Sequence, residues 1–292
     1  MIDYAGKTAV VTGAASGIGF ALAEKFVEQR MQVVLADIQE DALNQAVDKL
    51  KQRQGQVVGV VTDTMLQASV ENLADRAAEE FGNVHVLCNN AGVASTSAGV
   101  GTPIWEIPKT DWDWVMGVNF YGVLYGLQTF VPRMLAHGES GHIVNTASLA
   151  GLMPAGGTYG VSKHGVLVLT ETLYNDLETQ GADIGASVLC PGFVNTNIID
   201  AERNRPQDLG GGAETSEEAA AIGRAMLAQG KDPADIAQAV FDSMQERRLY
   251  ILPHPAWDEF LKSRVEHVLA RQGPARLDME DLLRRRNEGE IF

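Results

Sequence analysis

The chain has 292 residues, and 45% of them are hydrophobic, which is enough for a large buried core and indicates a folded protein. Its formal net charge of −15 disfavours nucleic acid and anionic membranes as partners, because both attract basic surfaces. The apolar segments are much shorter than the roughly 20 residues that cross a bilayer, and the first residues lack a basic-then-apolar signal pattern, so we expect a cytoplasmic protein.

Short apolar segments rich in β-branched residues recur along the chain and predict about seven strands. Segments of helix length, with apolar residues at three-to-four spacing, lie between them. Apolar strands joined by crossover helices form a parallel sheet covered on both faces, so we predict a Rossmann-type, doubly wound α/β domain at residues 1–252. Residues 253–292 form a C-terminal extension with a predicted helix at 257–271. The predicted strands begin at Lys7, Gln32, Gln56, Val84, His142, Ile184 and Arg248.

The first predicted strand leads into the sequence TGAASGIG, which predicts a phosphate-binding turn. Its glycines, Gly13, Gly17 and Gly19, allow a tight turn and a close approach of the backbone to a ligand. The helix that follows directs free N–H groups and a positive dipole end at phosphate. A glycine-rich turn alone is a weak signal, but the strand before it and the helix after it strengthen the assignment to a dinucleotide pyrophosphate.

Two aspartates near the ends of the next strands are candidate ligands for the adenosine half of a dinucleotide. Asp37 ends the second strand, where a carboxylate binds both ribose hydroxyls and repels a 2′-phosphate. Neither Ser16 nor Ile38 supplies a cation for that phosphate, so the sequence favours NAD over NADP. Alternatively, Asp37 only caps the helix that begins near Gln39. Asp63, which ends the third predicted strand, either binds the adenine amino group or forms a turn.

Both cysteines, Cys88 and Cys190, lie in apolar strand-like segments. No metal-ligand spacing surrounds either of them, and the sequence predicts no metal site. We interpret both as buried, inert thiols rather than as a disulfide or a nucleophile.

The sequence TYGVSKHGV places Tyr159 four residues before Lys163. On a helix this spacing stacks both side chains on one face, about one turn apart. An ammonium near a phenol favours the phenolate and would bring the tyrosine pKa towards the operating pH, which suits a general acid/base. The same pair also occurs by chance on amphipathic helices, so the spacing alone leaves a surface position open.

The polar segment at residues 195–216 carries three consecutive glycines, Gly210 to Gly212, and predicts a loop after the sixth strand. Ligands of open α/β sheets bind beyond the carboxyl ends of the strands, where this loop would lie, so we predict a substrate lid at residues 195–225. Near the end of the chain, Arg284, Arg285 and Arg286 are interpreted as a solvated face.

Taken in order, these motifs resemble the classical short-chain dehydrogenase/reductase family over roughly residues 4–252. The resemblance implies an enzyme that transfers a hydride between NAD(H) and a secondary alcohol or ketone. The motifs that carry it are TGAASGIG, NNAG at residues 89–92, Asn119 in GVNFYG, Ser148 in NTASLAG, YGVSK, and the pair Pro191 and Gly192.

The resemblance also implies a role for each matching residue. Tyr159 would exchange a proton with the substrate oxygen, Lys163 would lower the tyrosine pKa and hold the nicotinamide ribose, and Ser148 would hydrogen-bond that oxygen or only cap a helix. Asn119 would position a water that links the lysine to solvent, or only bend its helix. The implied cofactor-binding residues are Gly13, Ser16, Gly17, Ile18, Gly19, Asp37, Asp63, Asn90, Ala91, Gly92, Tyr159, Lys163, Pro191, Gly192, Val194 and Thr196.

A weaker resemblance concerns the substrate. The segments DWDWVMGVNFYGV, GHIVNTAS and LCPGFVNTNI are similar to bacterial Cα-dehydrogenases of lignin-derived aryl ethers, which oxidise a bulky benzylic alcohol to a ketone. A bulky or aromatic substrate is therefore expected. Candidate pocket walls, each with the alternative of ordinary core, are Val93, Leu149, Met153, Phe193 and Ile198.

The family further implies a homodimer or a homotetramer. Residues 253–292 replace the short C-terminal segment that is usual in the family, so the sequence leaves the choice between dimer and tetramer open. Two other functions also stay open: an epimerase or dehydratase of the same fold, and a module that binds NAD as a sensor without chemistry.

Overall fold

Seven parallel strands form one sheet in the computed structural model, which describes residues 3–95, 102–154, 156–210, 217–274 and 284–285. The strand order is β3-β2-β1-β4-β5-β6-β7. The strands are β1 (Thr8–Thr12), β2 (Gln32–Asp37), β3 (Gln56–Val61), β4 (Val84–Asn89), β5 (Gly141–Thr146), β6 (Ile184–Leu189) and β7 (Tyr250–Ile251). The prediction of a doubly wound parallel sheet is confirmed.

Helices cover both faces of this sheet. Successive strand residues point to opposite faces, and the packing follows this alternation: Val10 and Val34 belong to one apolar core, whereas Val11 and Leu35 belong to the other. The helices are α1 (Gly17–Glu28), α2 (Glu40–Gln52), α3 (Gln67–Phe81), α4 (Lys109–Met116), α5 (Gly122–His137), α6 (Leu149–Leu152), α7 (Gly157–Gln180), α8 (Glu217–Ala228), α9 (Pro233–Glu246) and α10 (Asp258–Leu269). Because helices bury both faces of the sheet, the strands are near-continuous apolar segments in the sequence.

The sheet reverses its winding direction at β1. This strand pairs with β2 on one side, where Val10 lies opposite Val34, and with β4 on the other, where Val10 lies opposite Leu87. A crevice opens where neighbouring crossovers leave the sheet on opposite sides, beyond the carboxyl ends of the strands. The fold therefore places the candidate site at the residues that follow β1, β2, β4, β5 and β6.

Three irregular segments complete the fold. A π-helical turn, Gly117–Tyr121, separates α4 from α5. The segment predicted as a loop after β6 contains the 3-10 helices Ile198–Asn204 and Gln207–Leu209, while Gly211 and Gly212 lie outside the described residues. The predicted C-terminal helix is present as α10, preceded by the 3-10 turn Pro255–Trp257.

Among the described residues, no helix has the length and apolar composition that a membrane crossing requires. Of the three arginines near the end of the chain, Arg286 lies outside the described residues, and Arg285 pairs with Glu259 at 3.6 Å.

Candidate active site

One cleft crosses the carboxyl ends of the strands and brings most of the predicted site residues together. It extends from the glycine turn after β1 to the helix α7 and the segment after β6. The predicted residues that line it are Gly13, Ser16, Gly17, Ile18, Asp37, Asp63, Asn90, Ala91, Gly92, Val93, Ser148, Tyr159, Lys163, Pro191, Gly192, Val194, Thr196 and Ile198. Gly19, Asn119, Leu149, Met153 and Phe193 were also predicted, but they lie outside its lining.

The glycine turn has the geometry of a cradle for a ligand backbone. Gly13 and Gly17 have positive φ angles of 66° and 55°, which favour glycine. A Cβ on Gly19 would lie 2.1 Å from the carbonyl oxygen of Gly13, so a side chain there would push the turn apart. The N-cap residue of α1, Ser16, makes no side-chain hydrogen bond to the helix. The first N–H groups of α1 therefore lack a side-chain cap at this edge of the cleft. These features fit the pyrophosphate of a dinucleotide.

Asp37 combines the two roles that the sequence left open. Its carboxylate oxygens accept hydrogen bonds from the Ala15 and Gln39 backbone N–H groups, each at 3.0 Å. Gln39 is the N-cap of α2, so Asp37 does contribute to the start of that helix. The carboxylate is buried but lines the cleft, and a carboxylate has lone pairs left for two further donors.

Asp63 lies two residues beyond the end of β3, which is Val61, rather than at the strand end. Its Oδ1 accepts a hydrogen bond from the Met65 backbone N–H at 2.9 Å, and its own N–H donates to Ser69 Oγ at 3.0 Å. These contacts are those of a turn residue, as the second interpretation expected. Asp63 also lines the cleft.

Two threonines that the sequence analysis did not single out fix the segment after β4. Thr12 Oγ1 accepts hydrogen bonds from the backbone N–H groups of Asn90 (2.9 Å) and Ala91 (3.0 Å). The Asn90 side chain donates to the Thr12 carbonyl oxygen at 3.1 Å and accepts from Thr146 Oγ1 at 3.2 Å. The backbone of residues 90–92 is thereby held along the cleft by strands on both sides.

Lys163 reaches the cleft from α7 with its side chain almost completely buried, at 2% exposure. Its ammonium donates to the Thr146 carbonyl oxygen at 2.8 Å and lies 5.7 Å from the centroid of the Tyr159 ring. Burial lowers the pKa of Lys163 to about 8. The helical spacing thus brings the two side chains together, as predicted.

The expected direction of the Tyr159 pKa is different in the structure. Burial raises the pKa of Tyr159, and a hydrogen bond with Ser148 lowers it by a smaller amount. Burial rather than the Lys163 charge sets the direction of this shift, and the Lys163 ammonium donates to a backbone carbonyl and faces the tyrosine ring. The phenol is accordingly held in its protonated form at neutral pH.

Ser148 lies two residues beyond β5 and is buried. Its Oγ accepts a hydrogen bond from the Ala150 N–H at 3.1 Å, which caps α6, and donates to the Pro191 carbonyl oxygen at 3.4 Å. The helix-cap interpretation is therefore correct as far as the backbone is concerned. The same oxygen also lines the cleft beside Tyr159.

Asn119 lies in the π-helical turn between α4 and α5 and is completely buried. Its side chain accepts from the Val93 N–H at 2.8 Å and donates to the Val93 carbonyl oxygen at 2.9 Å and to Ser162 Oγ at 3.0 Å. A Cβ on Gly92 would lie 3.4 Å from Asn119 Oδ1 and 3.2 Å from Lys163 Nζ. Asn119 thus joins the segment after β4 to α7 behind the cleft, from a π-helical turn between two α-helices.

Three of the five predicted pocket walls lie outside the cleft lining. Leu149 and Phe193 belong to the apolar core, where Phe193 packs against Trp257 at a ring distance of 6.1 Å, and Met153 follows the short helix α6. Leu149 and Phe193 thus follow the core alternative, whereas Met153 is half-buried and belongs to neither the core nor the cleft lining. Val93 and Ile198 do line the cleft.

Several residues of the cleft lining were not predicted from the sequence. Trp114 and Val118 line the cleft from α4 and the π-helical turn, while Ala201, Arg203 and Asn204 line it from the segment after β6. No motif marks these positions. The paired tryptophans of DWDWVMGVNF were the one available signal, since large aromatic residues near a motif often form pocket walls.

A buried ion pair connects the segment after β6 to α4. Arg205 donates to Asp111, and the side chains are 4% and 0% exposed. Ser95 also donates to Asp111, and the Arg205 guanidinium lies 4.8 Å from the centroid of the Trp114 ring. Charge, stacking and burial together hold the 3-10 segment after β6 against α4.

Similarities to known proteins extend over most of the chain. A protein-family model described as short chain dehydrogenase matches residues 7–207. The C alpha-dehydrogenase of Sphingobium sp. strain SYK-6 is 34% identical over 96% of this chain and 91% of its own length. The CLA biosynthesis dehydrogenase/reductase of Lactiplantibacillus plantarum is 31% identical over 94% of this chain and 97% of its own.

A solved structure is also similar. It is a short chain dehydrogenase/reductase from Burkholderia phymatum in complex with NAD, with 45% identity and a TM-score of 0.90, covering 95% of this chain and 99% of that chain.

Proposed function

This chain belongs to the short-chain dehydrogenase family, and from this premise we propose how its cleft works. The protein is an oxidoreductase that uses NAD(H) and interconverts a secondary alcohol and its ketone. The observation that carries the proposal is the shared cleft: Ser148, Tyr159 and Lys163 line the same cavity as the glycine turn that fits a pyrophosphate.

Each half of the cofactor has residues suited to it. The glycine turn and the N-terminus of α1 would hold the pyrophosphate, and Asp37 the adenosine ribose. Asp63 and residues 90–92 would lie along the adenosine and central parts, Lys163 would bind the nicotinamide ribose, and Pro191, Gly192, Val194 and Thr196 would line the nicotinamide end. When bound, the cofactor supplies the hydride acceptor or donor.

Tyr159 is the proposed general acid/base. Its raised pKa keeps the phenol protonated at neutral pH, which suits proton donation to the oxygen of a ketone. In the direction of oxidation the same oxygen must accept the proton. Lys163, whose pKa is about 8, carries its charge below that pH and stabilises negative charge that develops at the tyrosine oxygen.

Two further side chains support this chemistry. The Ser148 hydroxyl lines the cleft beside Tyr159 and would hydrogen-bond the substrate oxygen, stabilising charge that develops there. Asn119 would act from behind the cleft, since its amide holds the Val93 backbone and Ser162 of α7. It is proposed to position a water that connects Lys163 to solvent.

The substrate is proposed to be a bulky secondary alcohol with an apolar ring. The cleft lining includes the apolar residues Val93, Trp114, Val118, Ile198 and Ala201, which offer contact area to such a ring. The relative named C alpha-dehydrogenase supports this class of substrate, as does the 1-deoxy-11-beta-hydroxypentalenate dehydrogenase of Streptomyces exfoliatus, which is 39% identical over 84% of this chain and 82% of its own length.

We also propose a function for each part of the chain. Residues 1–252 form the cofactor-binding and catalytic domain, residues 195–225 cover the substrate, and residues 253–292 form an extension. We also propose a homodimer or homotetramer in the cytoplasm. The large exposed apolar side chains Tyr121, Val161 and Val168, on the π-helical turn and α7, support an interface between subunits.

A screen of secondary alcohols with NAD tests the proposal. Aryl, alicyclic and steroid alcohols are offered with NAD or NADP, and NADH or NADPH formation is followed by absorbance. We expect net NADH formation with ring-bearing alcohols, much less with short aliphatic ones, and little with NADP. Product without net NADH would point to an epimerase or dehydratase, and NADH binding without turnover of any alcohol would point to a sensor module.

A further inference from the structure

His254 lies three residues beyond β7, at the start of the C-terminal extension, and its side chain is buried at 3% exposure. It is not part of the cleft lining. Its imidazole nevertheless contacts the backbone of the segment that follows β6. The Gly192 N–H donates to His254 Nδ1 at 3.1 Å, and His254 Nε2 lies 3.1 Å from the Phe193 carbonyl oxygen.

These two contacts fix the protonation state of the ring. A backbone N–H only donates, so Nδ1 must accept and carries no proton. A carbonyl oxygen only accepts, so Nε2 must carry the proton. His254 is therefore the neutral Nε2–H tautomer. Its surroundings favour this form, because burial and, to a lesser extent, the Lys231 charge lower the pKa of His254, whereas its hydrogen bond to the Phe193 carbonyl raises it.

The segment that His254 holds is the nicotinamide end of the cleft. Pro191, Gly192 and Val194 line it, while the Phe193 side chain turns away and packs against Trp257. A Cβ on Gly192 would lie 3.2 Å from the His254 ring, so the imidazole is in close contact with this peptide. The histidine and the cleft thus share one peptide unit, approached from opposite sides.

The same segment is tied to the candidate catalytic serine. The Pro191 carbonyl oxygen accepts hydrogen bonds from the Leu149 N–H at 2.9 Å and from Ser148 Oγ at 3.4 Å. On the far side, the Lys231 N–H donates to the Phe193 carbonyl oxygen at 3.0 Å. A shift of the Gly192 peptide would therefore move the acceptor that orients the Ser148 hydroxyl.

We propose that neutral His254 is a positioning residue, which holds the backbone of residues 191–193 so that the nicotinamide wall and Ser148 keep their working geometry. The inference rests on the proposed function for its effect on turnover. It assigns a role to the extension: the residues after β7 support the active site from behind.

Protonation of His254 would remove this support. An imidazolium has N–H donors at both nitrogens, so Nδ1–H would oppose the Gly192 N–H instead of accepting from it. Lys231, which precedes α9, is the charged side chain whose field acts on the ring, and it opposes protonation. The Gly192, Phe193 and Trp257 backbones, which also contact this residue, do not titrate. Ketone reduction, in which Tyr159 is already protonated at these pH values, should therefore show an acid limb below pH 6.5, the ordinary histidine value.

Two substitutions separate the hydrogen bond from the bulk of the ring. His254→Asn places an amide oxygen near the position of Nδ1 and keeps an acceptor for the Gly192 N–H, whereas His254→Leu removes it. His267→Asn, on α10 in the same extension, controls for the chemical change itself. The readouts are kcat and KM for reduction of the ketone of an accepted alcohol, the NADH dissociation constant, and hydrogen exchange of the peptide containing Gly192.

We expect His254→Leu to lower kcat at least about tenfold and to speed exchange at Gly192 at least about tenfold, the scale of one lost hydrogen bond. His254→Asn should recover most of both and lose the acid limb, and His267→Asn should match the parent protein. If the parent protein oxidises no alcohol, the proposed function fails, while hydrogen exchange still tests His254.

Unchanged kcat and exchange in His254→Leu would overturn the inference, as would equal impairment in the Asn and Leu variants, since ring volume would then be the cause. If the Leu variant does not fold, the Asn variant decides: an acid limb as strong as in the parent protein contradicts the proposal, and its loss supports it.

Discussion

The proposed cofactor half and the proposed substrate half of the cleft are built in different ways. In the cofactor half, the geometry comes from the backbone: glycines with positive φ, the open N-terminus of α1, and Thr12 Oγ1, which accepts two backbone N–H groups. In the substrate half, it comes from side chains on separate elements, such as the Asp111–Arg205 pair and the Trp114 ring. A backbone cradle requires particular residue types at fixed spacing, whereas a side-chain wall can be built from many combinations.

Tyr159, the proposed general acid/base, lies where the two halves meet, so its replacement should give the largest effect. Tyr159→Phe removes the proton donor but keeps the ring volume, and we expect kcat to fall at least about 10³-fold, within the range of general acid/base catalysis. NADH affinity should stay within about threefold, because the residues that form the glycine turn are unchanged. Stopped-flow turnover and fluorescence titration of NADH measure the two quantities.

Retained turnover in Tyr159→Phe would place the proton transfer elsewhere. A parallel loss of NADH affinity would instead show that the phenol belongs to the cofactor half. Tyr121→Phe, at an exposed tyrosine on the π-helical turn, is the matched control.

The substrate half depends on the buried ion pair. Arg205→Met leaves the Asp111 carboxylate buried without its cation, and we expect a loss of about 3 to 5 kcal/mol in the free energy of unfolding. NADH affinity should change little, whereas KM for the alcohol should rise. Arg76→Met removes an exposed ion pair on α3 and should change stability by less than about 1 kcal/mol. Denaturant unfolding distinguishes the two.

A second replacement sharpens this test. The double variant Arg205→Met with Asp111→Leu removes both charges, so it should be more stable than Arg205→Met alone. If the single and double variants are equally destabilised, the ion pair does not hold the segment after β6 against α4.

Lys163 gives a test that depends on pH. Burial lowers its pKa from 10.5 to about 8, so between these values the unfolded chain binds more protons than the folded one. The stability of the parent protein relative to Lys163→Met must then rise as pH increases from 8 to 10.5, by on the order of 3 kcal/mol. A stability difference that is constant across this window would contradict a buried, partly deprotonated lysine.

Asp37 tests the specificity of the cofactor half and should give the smallest effect. Asp37→Ser keeps a hydrogen-bonding group for the Ala15 N–H but removes the negative charge. We expect the NAD to NADP ratio of kcat/KM to fall about 10-fold to 100-fold, the range for losing a hydrogen bond to a charged group. An unchanged ratio would show that other residues discriminate between the cofactors.

The contrast between the two halves explains what the sequence could predict. The strands were recognised because both of their faces are buried, and Gly13, Gly17 and Gly19 because backbone conformation and close packing restrict their positions. Tyr159 and Lys163 were recognised by their helical spacing together with the other motifs of the family, since the spacing alone left a surface position open. Pattern alone did not reveal that the Lys163 ammonium donates to the Thr146 carbonyl, since that contact depends on how α7 packs against β5.

The missed residues depend on contacts between distant elements. Arg205 and Asp111 are 94 positions apart, and His254 contacts Gly192 across 62 positions, so neither pair leaves a local signal. Leu149 and Phe193 were taken as pocket walls because they adjoin motifs, but adjacency in the chain does not determine which way a side chain points. Sequence spacing thus predicts the half of the site that local backbone geometry defines.

The central claim is that this cleft carries out net hydride transfer to NAD. The most direct measurement uses an accepted secondary alcohol with deuterium on its carbinol carbon and follows the label by mass spectrometry. The account predicts one deuterium in the reduced cofactor for each ketone formed, and loss of both products in Tyr159→Phe. Product that forms while the cofactor stays unlabelled and oxidised would contradict it.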